Sequence, residues 1–365
     1  MLREIYEQPS KLSATLSQYL DAGGLRADTC GDVERWIASI HSKLLIAASG
    51  SSRHAGMIAE QIIEDISGVP VDVEYASEYC YRSESSLADA AVMVISQSGE
   101  TADTLAALRK ANLAGHATLA ITNVDHSTMD REATVAFPTV ADRERAVPAT
   151  KSFTAQLLNL YLVAIMAAIS RKTLDASELR TRVHELNLLP GQIELQLKGW
   201  DDAMREVANH YREARNFLFL GRGIHYPIAR EGALKLKESA YLHAEGYPSG
   251  ELKHGPNALV SEGTPLVMIA TVDRKDADSV QRYDKVVQLM RDMREQGANI
   301  LAIANEGDLD VGNLATHTVY VKEMREILMG ICEVIPLQLL SYWMAINNGI
   351  DVDHPRNLTK AVLAE

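Results

Sequence analysis

Six consecutive residues, Ser96-Gln97-Ser98-Gly99-Glu100-Thr101, gather three hydroxyls, a side-chain amide and a glycine at one point of the chain. They follow the apolar run 92–95 and lead into a segment with helical spacing, so they lie between a buried strand and a helix. The unpaired N–H groups and positive dipole end of a helix start attract an anion. Hydroxyls add donors, glycine lets the backbone approach, and together they suit a phosphate monoester. The plainer reading has these residues capping the helix, with Glu100 and Asp103 complementing its dipole. A second hydroxyl-rich turn, Ser49-Gly50-Ser51-Ser52, ends the preceding strand, and two such turns side by side favour the phosphate site. Neither turn has the Gly-Lys-Ser/Thr ending of a Walker loop or the G-x-G-x-x-G fingerprint; GRGIHYPIA (221–229) lacks the third glycine, which argues against a nicotinamide cofactor.

Residues 231–256 hold a second concentration: Lys235, Lys237, Glu238, His243, Glu245, Glu251, Lys253 and His254. On a helix, Glu231, Lys235 and Glu238 share one face, while Lys237 points elsewhere. A carboxylate flanked by lysines can be tuned for proton transfer, and His254, in a Gly/Pro-bounded loop, can serve as a second acid or base. The competing reading makes these charges a solvated helix face and His254 an ordinary loop residue. His243 and Glu245 are two residues apart without further zinc-like spacing, so no metal is expected. In the tail, Arg356 and Lys360 lie beyond Pro355 and can reach back over a pocket; a merely docked terminus is the alternative.

The elements that must position these groups repeat. KLLIAASGSSRHAGMIAEQIIED (43–65) matches NFLFLGRGIHYPIAREGALKLKE (216–238), each a short apolar strand, a glycine turn and a long helical segment, at an offset of 173 residues. AGHATLAITN (114–123) matches QGANILAIAN (296–305) at an offset of 182. Strands alternating with helices of this length imply parallel sheets covered on both faces. The expected fold is α/β: two doubly wound, three-layer α/β/α domains related by duplication, with ligands at the carboxyl ends of the strands. The expected boundaries are an N-terminal helical arm over 1–40, domains over 41–185 and 186–350, and a tail over 351–365, with Pro190-Gly191 breaking the connection.

The 365 residues, 47% of them hydrophobic, suffice for two cores. A net charge of −13 leaves no broad basic surface, so nucleic acid is not expected as a partner. The first twenty residues contain no uninterrupted apolar stretch, and the longest apolar run, 157–169, is interrupted by Asn159, so no membrane association is expected. Three widely separated cysteines, Cys30, Cys80 and Cys332, fit neither a disulfide framework nor a zinc site and point to a cytoplasmic protein with reduced thiols.

With these residues in view, the chain resembles the isomerase half of glucosamine-6-phosphate synthase, a pair of sugar isomerase (SIS) domains. The likeness runs through EIYEQP (4–9), SQSGETADT (96–104), ATKSFT (149–154), LFLGRG (218–223), EGALKLKE (231–238), GELKHGP (250–256) and DVDHPRNLTKAV (351–362). The resemblance implies that Ser96, Gln97, Ser98 and Thr101, with Ser52, hold a sugar 6-phosphate. It makes Glu238 the base that moves a proton between C1 and C2 and puts Lys235 near the developing enediol. His254, supplied by the neighbouring subunit of a homodimer, assists ring opening; Lys360 contacts the open sugar and Val147 lines the pocket. The chemistry requires neither metal nor organic cofactor.

The synthase carries an N-terminal glutaminase domain ahead of the EIYEQP segment, where this chain starts at Met1. The resemblance therefore implies interconversion of fructose 6-phosphate and glucosamine 6-phosphate with free ammonia, as a deaminase, or as the isomerase portion of a synthase. Isomerisation of a non-amino sugar phosphate and non-catalytic sensing of a sugar phosphate are the alternatives. Ser49 in place of the family's cysteine, and the charged run Arg143-Glu144-Arg145 before Val147, are departures bearing on the substrate.

Overall fold

A computed structural model describes residues 1–21, 24–83 and 89–361, so the last four residues of the tail lie outside it. The chain divides into two compact units. The N-terminal unit comprises 7–145, 149–191 and the tail from 359; the C-terminal unit comprises 1–6, 146–148 and 192–358. The expected arm is thus shared out, α1 (Leu2–Tyr6) to the C-terminal unit and the rest to the N-terminal unit.

In the N-terminal unit, α2 (Gln8–Tyr19), the short antiparallel pair β1 (Leu20–Asp21) and β2 (Gly24–Leu25), and α3 (Ala27–Ala38) precede the sheet. Then follow β3 (Lys43–Ala48), α4 (Gly50–Ser67), β4 (Val71–Tyr75), α5 (Ala76–Tyr79), β5 (Ala90–Ser96), α6 (Ala102–Leu113), β6 (Thr118–Thr122), α7 (Thr128–Glu132), β7 (Val135–Ala136) and α8 (Lys151–Arg171). The strands are all parallel, in the order β4-β3-β5-β6-β7. Every residue of β5 and β6 is buried, as a sheet covered on both faces requires. Leu45, Ala47, Val92 and Val94 pack toward Ala107, Leu108 and Ala111 of α6, while Ile46 and Ile95 lie under Gly56 of α4 on the other face.

One helix, α9 (Ala176–His210), passes through Pro190 without ending. The break expected at Pro190-Gly191 is therefore not a break in the helix, although the boundary between units falls there. Proline removes one intrahelical hydrogen bond. The buried stripe Val183, Leu186, Leu189, Ile193, Leu197, Trp200, Met204 and Val207 continues at helical spacing on both sides of it and carries the helix through.

The C-terminal unit repeats the plan with β8 (Asn216–Gly221), α10 (His225–Ala240), β9 (His243–Pro248), β10 (Pro265–Ala270), α11 (Ala277–Glu295), β11 (Asn299–Asn305), α12 (Leu309–Leu314), β12 (His317–Val321) and α13 (Glu326–Asn347). Its five parallel strands run β9-β8-β10-β11-β12, the same winding as the first sheet. The duplicated three-layer architecture expected from the repeats is the one observed. Two helices, α8 and α13, are long and apolar enough to cross a membrane by length and composition, a property the sequence reading had not assigned to them. Both are buried almost all round, α8 against α2, α3 and α4, and α13 against α1 and α10.

Candidate active site

In each sheet the winding reverses direction between the first and third strands, and ligands in such folds bind outside the carboxyl ends of the strands at that reversal. In the N-terminal unit it lies between β3 and β5, whose exits are the two hydroxyl-rich turns. Ser96 is buried and Ser98 and Thr101 half-buried, and their hydroxyl oxygens form a triangle: 3.0 Å from Ser96 to Thr101, 3.5 Å from Ser96 to Ser98 and 3.5 Å from Ser98 to Thr101. Ser96 Oγ accepts from the Gly99 amide and Ser98 Oγ from the Glu100 amide, both at 3.1 Å. Thr101 is the N-cap of α6 but makes no side-chain cap bond. The serines brace the turn itself, so simple capping of α6 does not account for them.

Gly99 has φ +65°, and a Cβ there would lie 2.1 Å from Ser127 Oγ, so the turn requires glycine. Glu100 does not face the triangle as a dipole partner alone, since its Oε1 accepts from the Thr128 amide at 2.7 Å. Gln97 is half-buried, its carbonyl taken by the Asn123 amide. Ser52, in the first turn of α4, accepts from Gln156 Nε2 at 3.1 Å, which leaves its own O–H to donate elsewhere. Lys360 meets Glu144 in an ion pair, with its side chain 25% exposed and the carboxylate fully buried.

The C-terminal unit builds the other group on α10. Glu231, Lys235 and Glu238 do share one face, and they are not a solvated one: Glu231 and Lys235 are fully buried and Glu238 is 22% exposed. Lys235 Nζ bonds Glu238 Oε2 and lies 3.4 Å from Glu231 Oε1. A buried ammonium between two carboxylates holds the outer one in a fixed direction while leaving it open to solvent on one side. Lys237 is exposed, as its helical position predicts.

Beyond α10 the chain forms β9, whose pairing with β8 satisfies its backbone despite Gly246 and Pro248. His243 and Glu245 lie on this strand. His254 ends the 3-10 turn Ser249–His254 with its ring exposed. Val147 is half-buried, its amide donating to the Asp353 carbonyl at 3.4 Å. Arg356 stacks 4.2 Å from the Tyr241 ring centroid and its amide donates to Tyr241 Oη, so it is engaged by the residue that caps the C-terminus of α10. Among the described residues no group of three or more His, Cys, Asp or Glu side chains is arranged to hold a metal.

Three features escaped the sequence reading: Gln156 behind Ser52, Glu144 as the partner of Lys360, and a buried cluster around His225. His225 Nδ1 lies 3.0 Å from Glu333 Oε2, and His225 Nε2 lies 3.1 Å from Glu326 Oε1. The signal for His225 was present, since it stands 173 residues beyond Ser52, at the offset that aligns the repeats.

The SIS domain model matches residues 37–166 and 210–348, one stretch on each sheet. The chain belongs to the SIS domain family. Over its whole length it is similar to part of the glutamine–fructose-6-phosphate aminotransferases. The C-terminal domain of glucosamine-fructose-6-phosphate aminotransferase from Francisella tularensis is 36% identical, with a TM-score of 0.89 over 97% of each chain. The glutamine–fructose-6-phosphate aminotransferase of Chlorobaculum tepidum is 40% identical over 371 residues, which take in all of this chain and 58% of that protein. This SIS chain thus spans under two thirds of the length of the curated relatives it matches. Glucosamine-6-phosphate deaminase from Thermotoga maritima shares the fold, with a TM-score of 0.71 at 22% identity.

Proposed function

We propose that this SIS protein isomerises a hexose 6-phosphate by a 1,2-proton shift and interconverts fructose 6-phosphate and glucosamine 6-phosphate. The observation that carries the proposal is the hydroxyl triangle of Ser96, Ser98 and Thr101 at the sheet's winding reversal, a set of donors suited to a phosphate monoester. Gln97 and Ser52 complete that anchor. Binding energy from the phosphate is then available to orient the remote reacting end.

At that end, His254 opens the ring by proton transfer, and its exposed side chain is consistent with service to the partner subunit of a cytoplasmic homodimer. Glu238 takes the proton from C1 and returns it at C2, a transfer that requires one carboxylate within reach of both carbons. Lys235, charged and next to Glu238, offsets negative charge developing on the enediol oxygen. Lys360 contacts the open-chain sugar and Val147 lines the pocket. In the amination direction, ammonia replaces the C2 carbonyl oxygen with release of water before the same shift. No step needs a metal or redox cofactor.

The test is incubation of the purified protein with glucosamine 6-phosphate, followed by assay of ammonia and fructose 6-phosphate. Release of both is expected. Sugar exchange without ammonia would show plain isomerisation instead, and binding without turnover would show a sensor. Glu238→Gln is expected to abolish exchange of the C2 proton with solvent while phosphate-dependent binding persists; undiminished exchange would remove Glu238 from the proton transfer.

A further inference from the structure

Glu144 has no part in the chemistry just described, yet it is fully buried in the N-terminal unit and heavily bonded. Its Oε1 accepts from the Thr150 amide at 2.8 Å, from Thr150 Oγ1 at 3.1 Å and from the Ser152 amide at 3.2 Å. Its Oε2 accepts from Ser152 Oγ at 2.6 Å and from Lys360 Nζ. Thr150 is the N-cap of α8 and Ser152 lies in its first turn, so the carboxylate is fixed to the start of a long buried helix. Burial by itself raises the Glu144 carboxyl. The Lys360 charge, and the bonds from Lys360, Ser152 and Thr150, outweigh that and hold it below its ordinary value.

We propose that Glu144 is a positioning residue for the reaction: anchored to the first turn of α8, it holds the Lys360 amine where the tail meets the open sugar. The inference rests on the function proposed above. Four of the five bonds to Glu144 come from Thr150 and Ser152, so its charge stays satisfied when Lys360 turns to a substrate oxygen. A carboxylate whose only partner was Lys360 would be stranded by that movement, at the cost of an unpaired buried charge. Lys360 is a quarter exposed, so its amine is reachable from solvent while held. A tail latch alone would need none of this: a surface pair would dock the terminus as well.

The experiment compares the wild type, Glu144→Gln, Lys360→Met and the double variant in the full chain. Glu144→Gln is expected to lower kcat for glucosamine 6-phosphate by about 10-fold or more with KM changed less than about 3-fold, the split a positioning defect gives. In the Lys360→Met background the same change is expected to cost nothing further, because Glu144 acts through the amine. Should Glu144→Gln not fold, Ser152→Ala removes one donor from the carboxylate and is expected to give a smaller loss of kcat, about 3-fold.

A readout independent of turnover is acetylation of Lys360 by acetic anhydride, followed by peptide mass spectrometry, which is expected to be several-fold faster in Glu144→Gln. Full kcat in the Glu144 and Ser152 variants, an additive loss in the double variant, or unchanged Lys360 labelling would each overturn the inference. Absence of turnover in the wild type would overturn the proposed function, whereas the labelling still decides whether Glu144 holds the amine.

Discussion

Between β3 and β5 of the N-terminal unit stand Ser52, Ser96, Ser98 and Thr101; between β8 and β10 of the C-terminal unit, at the same point of the same winding, stand His225 and Thr271. In the first unit the groups are hydroxyls that bond one another and the turn. In the second, α13 sends in two carboxylates. Glu333 accepts from Thr271 Oγ1 at 2.6 Å and faces His225 Nδ1, while Glu326 faces His225 Nε2 and accepts from Arg282 Nε at 3.0 Å. Both strand exits end at the electropositive start of a helix. One exit carries hydroxyl donors, with its Glu100 carboxylate engaged by the Thr128 amide; the other already contains its anion. Duplication of the scaffold therefore does not duplicate the site.

The largest effect expected from this contrast is on stability. Burial alone would pull His225 down, but Glu333 and Glu326 lift it to about 10, so both ring nitrogens donate. Glu326, which burial would raise, is held at about 2 by His225 and Arg282. His225→Ala leaves two buried carboxylates without their shared cation and is expected to cost roughly 3–5 kcal/mol in urea unfolding. A loss under about 1 kcal/mol would mean the cluster is not an ion cluster. Sugar-phosphate binding is expected to survive under conditions where the variant is folded.

The same cluster sets a pH dependence. A histidine whose folded pKa lies above its unfolded value stabilises fully below about 6.5, and that contribution is lost as pH rises through about 10. Wild-type stability is therefore expected to decline between pH 7 and pH 10 by on the order of 3–4 kcal/mol. In His225→Asn that component of the decline should vanish; a parallel slope in the variant would assign it elsewhere.

On the hydroxyl side the effects fall on binding. Thr101→Val and Ser98→Ala are each expected to weaken inorganic phosphate and fructose 6-phosphate by roughly 1–2 kcal/mol, about 10-fold, with little change in melting temperature. Unchanged affinity in both would take the triangle out of the site. Ser52→Ala is the mildest, about 1 kcal/mol in binding, since it removes one hydroxyl and strands Gln156 Nε2.

The contrast also marks what a sequence displays. The repeats at offsets 173 and 182 were legible because strands buried on both faces read as continuous apolar runs punctuated by glycine turns. Glu231, Lys235 and Glu238 could be placed on one face because helical spacing alone decides it. Pro190 misled because a local breaker was outvoted by a buried stripe on either side of it. Strand β9 has no local signature, since it carries Gly246 and Pro248 and is held as a strand by its pairing with β8. Gln156 beside Ser52, Glu144 beneath Lys360 and Glu333 against His225 are 104, 216 and 108 residues apart in sequence, and no local pattern encodes such pairs.

The decisive measurement is calorimetric titration of fructose 6-phosphate into the wild type, His225→Asn and a Ser98→Ala/Thr101→Val double variant. One sugar phosphate per chain is expected in the first two and a loss of binding in the third. Two per chain in the wild type, or undiminished binding in the double variant, would contradict the claim that the hydroxyl-lined exit is the anion site and the carboxylate-filled one is not.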